Sequence, residues 1–169
     1  QQYFSLNRSQ DLTQFFYLVT TLFDFSYSFI LTLLCVTLLV YLVRNKRSSI
    51  FFIATIFFST VLVYLMKLAF NVSRPTGAVI SAFGQSFPSY HATISTVFFI
   101  LLIYLFKDYI GGFKRKVFNT FCILSIFLVA LSRVYLGVHW SSDVFFGVIF
   151  GIFISYISIT IFRKTNKAL

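Results

Sequence analysis

The chain has 169 residues, of which 59% are hydrophobic and 21% aromatic while only 11% are charged; soluble domains carry about 25% charged residues, so that class is excluded. Lysine and arginine number 14 against four acidic residues, all of them Asp, for a formal net charge of +10. Basic residues set between long apolar runs mark the ends of transmembrane helices rather than a nucleic-acid surface, and so few carboxylates argue against a metal centre.

The chain begins at Gln1, and its first 26 residues lack the basic start and small-residue cleavage site of a signal peptide, so the native N-terminus is expected to be missing. Residues 12–23 are mostly apolar, lie between Asp11 and Asp24, and are too few to cross a bilayer alone. They predict an interfacial or half-inserted helix; the alternative is a sixth span made by tilting and merging with the next apolar run.

Five runs approach the roughly 20 apolar residues that a spanning helix needs: 27–43, 49–70, 88–106, 117–131 and 144–162. The fourth is short unless Ser132 and Arg133 extend it. Lipid offers the backbone no hydrogen bonds and no run alternates with the period of barrel strands, so the runs are expected to be helices. The expected fold is all-α, a polytopic bundle of five full transmembrane helices plus the N-terminal interfacial segment. It forms one domain, with segment 1–26, bundle 27–162 and a cytoplasmic tail 163–169. Cys35 and Cys122 each sit inside an apolar run and predict packing rather than a disulfide.

Ten basic residues fall at one set of helix ends: Arg44, Lys46 and Arg47; Lys107, Lys114, Arg115 and Lys116; Arg163, Lys164 and Lys167. The positive-inside rule makes that side cytoplasmic and puts segments 71–87 and 132–143 outside.

Three segments on the outer side carry chemistry. Lys67 interrupts an apolar run, where a central charge costs about 2.5 to 3.5 kcal/mol on insertion scales, and Arg74 follows two helical turns later, on one face before Pro75 ends the helix. Both could instead snorkel to the headgroups. Pro88, Ser89, Tyr90 and His91 open an apolar run as a helix start does; free backbone N–H groups and the Ser89 hydroxyl would form an anion site, or Ser89 would simply cap the helix. His139 and Asp143 are four residues apart, so on a helix the carboxylate could accept from one ring nitrogen and leave the other nucleophilic.

Together these segments resemble the signature of the type 2 phosphatidic acid phosphatases. The first motif, Lys, six residues, Arg-Pro, is Lys67, Arg74 and Pro75. The second, Pro-Ser-Gly-His, stands as Pro88, Ser89, Tyr90 and His91. The third, Ser-Arg, five residues, His, three residues, Asp, is Ser132, Arg133, His139 and Asp143. The resemblance implies hydrolysis of a phosphate ester through a phosphohistidine, with His139 as nucleophile, Asp143 orienting it and His91 protonating the leaving oxygen. Lys67, Arg74, Arg133 and Ser89 would hold the phosphate, with no metal and no cofactor. Tyr90 departs from the family's Gly; it would be strained at a positive φ but is allowed at a helix start, the favoured reading, where its ring would narrow the pocket or contact lipid.

The expected substrate and partner is a membrane lipid entering from the bilayer, because the loops are too short for a soluble domain. Lipid A 1-phosphate is the first choice, with phosphatidylglycerol phosphate and polyprenyl diphosphate as alternatives. The resemblance to small bacterial members implies an inner membrane with the site facing the periplasm; the sequence is silent on oligomeric state. An anion channel or transporter built on the three cations is the reading from another class, and it leaves the His139 to Asp143 spacing unexplained.

Overall fold

The structure, a computed structural model, describes residues 8–24 and 27–167. Parts of the expected N-terminal segment (1–7 and 25–26) and of the tail (168–169) lie outside the described residues. Among those described, all regular structure is helical: α1 Gln10–Thr21, α2 Tyr27–Val43, α3 Lys46–Phe70, α4 Tyr90–Phe106, α5 Gly112–Tyr135 and α6 Ser141–Lys167.

Three of these, α3, α5 and α6, are long and apolar enough to cross a membrane. The apolar helices α2 and α4 have 17 residues each, roughly 25 Å at 1.5 Å per residue, the lower edge of a span. At 12 residues α1 is too short to span alone. It starts where the Ser9 hydroxyl accepts from Leu12 N–H at 3.3 Å, and it buries Phe16 and Thr20 while leaving Leu12, Phe15 and Leu18 exposed. It packs on α5, with the Phe16 and Tyr135 ring centroids 4.6 Å apart.

Helix α4 is the axis of the bundle. Its residues from His91 to Phe99 are all buried, and α3, α5 and α6 pack around it, as suits a helix apolar on every face. The approach of α6 depends on two glycines one turn apart. A Cβ at Gly151 would stand 2.8 Å from the Thr93 carbonyl oxygen and 2.7 Å from Thr96 Cβ, and one at Gly147 would stand 3.0 Å from the Ser89 carbonyl oxygen. This small-residue seam lets the two backbones close together, and it sets the first turn of α4 beside the first turn of α6. Leu31, Leu38, Phe57, Phe121, Phe153 and Tyr156 cover the outside of the bundle with exposed apolar surface, the surface a bilayer solvates.

Basic residues gather at one end of the bundle. Arg44 pairs with Asp108 at 3.4 Å, Arg47 donates to the Thr165 carbonyl at 3.1 Å, and Lys107 and Arg163 each lie 5.1 Å from the Tyr104 ring centroid. The three polar segments lie at the other.

Two local expectations are corrected. Helix α3 ends at Phe70, because Asn71 turns left-handed (φ 45°) and its N–H caps the Lys67 carbonyl at 3.1 Å. Arg74 therefore sits in an extended loop, as suits a residue before proline, and not on the helical face of Lys67. His139 likewise precedes α6, so its nearness to Asp143 comes from a turn entering the helix and not from one helical face. By contrast, α5 does run through Ser132 and Arg133.

Candidate active site

Each histidine is positioned by a helix start. Asp143 lies in the first turn of α6, where its Oδ2 accepts from Trp140 N–H at 2.9 Å, half of a capping box. That bond ties the carboxylate to the 136–140 turn carrying His139. The turn reverses at Gly137, whose φ is +75° and whose missing Cβ would meet an Arg8 guanidinium nitrogen at 2.5 Å and the Gly77 carbonyl at 3.2 Å. Ser89 precedes α4 and makes no capping bond with its side chain; its hydroxyl is buried without a partner among the described residues. Its backbone N–H donates to the Asp143 carbonyl at 3.1 Å, which joins the two helix starts.

His139 and Asp143 are both almost fully buried. Nδ1 and Oδ2 are 3.6 Å apart, too far for a direct hydrogen bond. The Ser86 hydroxyl stands between them: it donates to Asp143 Oδ2 and lies 3.3 Å from His139 Nδ1. With its proton given to the carboxylate, the Ser86 oxygen is left to accept from Nδ1–H, a tautomer that keeps the lone pair on Nε2. Arg74 Nη1 faces that Nε2 at 3.4 Å. Burial lowers His139 to about 3, helped by the charges of Arg133, Arg74 and Lys67 and opposed by Asp143, so the ring is neutral at ordinary pH.

Two of the three cations are held by peptide oxygens. Lys67 donates to the carbonyls of Gln85 (2.6 Å) and Ser86 (3.2 Å). Arg74 donates to those of Gly84 (2.9 Å), Phe83 (2.9 Å) and Val138 (2.8 Å). Arg133 is buried, donates to the Thr20 hydroxyl of α1, and keeps its Nε without a partner among the described residues.

His91 Nε2 donates to Asp24 Oδ1 at 2.6 Å. Burial would raise the Asp24 carboxyl, but the bond to His91 and the Arg133 charge outweigh it and hold it below its ordinary value. Tyr90 begins α4 without a positive φ, so the Tyr in place of Gly is unstrained.

Lys67, Arg74, Tyr90, His91, Arg133 and His139 line one cavity of about 920 Å³, which also reaches Val61 and Tyr64 on the exposed face of α3. Of the residues singled out from the sequence these six line the cavity, while Ser89 and Asp143, bonded to each other through the Ser89 N–H, do not. Sequence reasoning missed Ser86, Thr20 and Asp24. Ser86 adjoins the second motif and Asp24 is one of only four carboxylates, but nothing in the spacing signals a contact spanning 67 residues. Among the described residues no three His, Cys, Asp or Glu gather as a metal site would require.

A bundle of apolar helices with three cations and two histidines converging on a cavity at one end is that of an integral-membrane lipid phosphatase. The chain belongs to the PAP2 superfamily, whose family model matches residues 48–167. Two solved structures share the fold. The first transmembrane PAP2 type phosphatidylglycerolphosphate phosphatase from Bacillus subtilis is 23% identical with a TM-score of 0.86, over 96% of this chain and 82% of that one. Aquifex aeolicus LpxE is 24% identical with a TM-score of 0.74, over 94% and 92%. No curated protein matches the sequence.

Proposed function

We propose that this phosphatase acts through a phosphohistidine on a membrane lipid that enters sideways, on the extracytoplasmic face of a bacterial inner membrane crossed by all five longer helices. His139 Nε2 attacks phosphorus, the bond from phosphorus to the lipid oxygen breaks, and His91 gives that oxygen its proton. Water then attacks the phosphohistidine, His91 accepts the proton, and phosphate leaves. Lys67, Arg74, Arg133, Ser89 and the α4 N-terminus neutralise the equatorial oxygens, since phosphoryl transfer is mostly positioning and charge stabilisation. Asp143 orients His139 through Ser86.

The observation that carries this reading is Arg74 facing Nε2 of a neutral, anchored His139 at a cavity wall, beside two further cations. A channel needs no oriented imidazole. Tyr90, in the cavity wall, narrows the pocket and bears on the choice of lipid.

For the substrate we propose lipid A 1-phosphate first. The short loops suit a lipid whose phosphate lies at the membrane surface, and Aquifex aeolicus LpxE shares the fold along nearly its whole length. Phosphatidylglycerol phosphate is the second reading, favoured by the higher TM-score of the Bacillus subtilis protein. Phosphate release by purified protein from these two lipids and polyprenyl diphosphate, with and without excess chelator, tests both. Activity is expected on a lipid phosphate, unaffected by chelator, and absent after His139→Ala. Release from water-soluble headgroups alone, or none from any phosphate ester, overturns the reading.

A further inference from the structure

Resting on that phosphatase reading, we infer that Asp24 is the positioning residue of the second histidine: through its 2.6 Å bond it fixes the His91 ring and supplies the counter-charge of the protonated imidazole that acts as general acid. The chain has four carboxylates and two histidines. One carboxylate, Asp143, serves His139; Asp24 serves His91. Of the other two, Asp11 is exposed in α1, and Asp108 pairs with Arg44 at the opposite end of the bundle.

The surroundings explain the need. The His91 ring is buried on α4 and shares the cavity with Arg133 of α5, Arg74 of the 71–89 loop, Lys67 of α3, His139, and Tyr90 and Tyr17. An imidazolium among three cations is strongly disfavoured unless a carboxylate touches it. Asp24, in the turn after α1, is the one that does. An ionised carboxylate only accepts, so the bonded Nε2 keeps its hydrogen throughout and the proton given to the leaving oxygen is the one on Nδ1; the bond also sets the ring's rotation. The same N-terminal element holds a second site residue, because the Thr20 hydroxyl accepts from Arg133. Both Asp24 and Thr20 lie outside residues 48–167, the part that matches the family model. The N-terminal helix therefore completes the site and does not merely lie on the membrane surface.

The test compares Asp24→Asn and Asp24→Glu with the unaltered protein on its lipid phosphate and on p-nitrophenyl phosphate, whose leaving group needs no proton. A general acid is worth about 10²- to 10⁴-fold. Asp24→Asn is expected to lower kcat on the lipid by about tenfold or more with little change in KM, to lower the ratio of lipid to aryl rates by a similar factor, and to leave phosphohistidine formation from the aryl ester detectable. Asp24→Glu, which keeps the charge, should recover part of the ratio. Equal losses on both substrates would make Asp24 structural, and a gain in activity would make it a plug in the leaving-group position; either overturns the inference. Absence of any phosphatase activity in the unaltered protein defeats the phosphatase reading itself, a result distinct from both.

Discussion

Asp143 reaches His139 through a third side chain. The carboxylate oxygen and Nδ1 are 3.6 Å apart, and the Ser86 hydroxyl bonds the first while standing 3.3 Å from the second. Hydrogen bonds to charged groups contribute about 1.5–3 kcal/mol, so Ser86→Ala should lower kcat roughly ten- to a hundredfold with KM little changed. Asp143→Asn should keep the fold and lose more, because an amide cannot stabilise the cationic imidazole. If the two act as one chain, the double variant is no worse than Asp143→Asn alone; additive losses would separate them.

The two histidines should also differ in their titration. His139 is held near 3 by burial and by Arg133, Arg74 and Lys67 against the pull of Asp143. With only two histidines in the chain, ring-labelled NMR resolves them, and the His139 signals should show no midpoint between about pH 5 and 8. The folded value lies below the ordinary 6.5, so the native state binds fewer protons than the unfolded one. Stability from this group is present above about pH 6.5 and declines as the pH falls toward about 3. A midpoint near 6.5 for His139 would show that burial and the three cations do not set its charge state.

Gly151 sets the separation of α4 and α6. A methyl group there meets the Thr93 carbonyl and the Thr96 side chain at 2.8 Å and 2.7 Å. Overpacking of this kind costs about 1–3 kcal/mol, and the seam also sets the distance between the helix starts. Gly151→Ala should therefore lower both thermal stability in detergent and kcat. An unaltered melting temperature would show that the seam has slack.

Orientation is open to labelling in a background with Cys35 and Cys122 replaced by Ser. The ten basic residues predict that a Cys at position 114 is protected from an impermeant reagent in intact cells and that one at 77 reacts. The opposite pattern would turn the site toward the cytoplasm.

The helices were legible because a bilayer leaves the backbone one solution, and the apolar runs match α2 through α6 to within a few residues except at the start of α5 and the end of α6, where Lys114, Arg115 and Lys116, and Arg163, Lys164 and Lys167 of the expected tail, continue the helix as charged residues do at a water interface. Lys67, Arg74, His91, Arg133, His139 and Asp143 stand out in the sequence through the family resemblance that their order carries, although the helical faces expected for Lys67 with Arg74 and for His139 with Asp143 do not form. What spacing did not carry was how they meet. The left-handed Asn71 that detaches Arg74 from α3 is set by one residue's φ, and the contacts of Ser86, Thr20 and Asp24 depend on the docking of the 71–89 loop and α1. The Gly147 and Gly151 seam stands in the sequence as a small-residue repeat at i and i+4, but an apolar run alone does not say which neighbour such a repeat faces.

Lys67 and Arg74 already give part of their N–H donors to the carbonyls of residues 83–86 and 138. A phosphate entering the site competes with those peptide dipoles for the charges, so capture is in part an exchange of ligands and not a simple addition. Exchange penalises a weakly charged occupant more than a strongly charged one. Spent inorganic phosphate makes the same trade without acyl chains to anchor it, so the loop carbonyls compete for the cations as the product leaves.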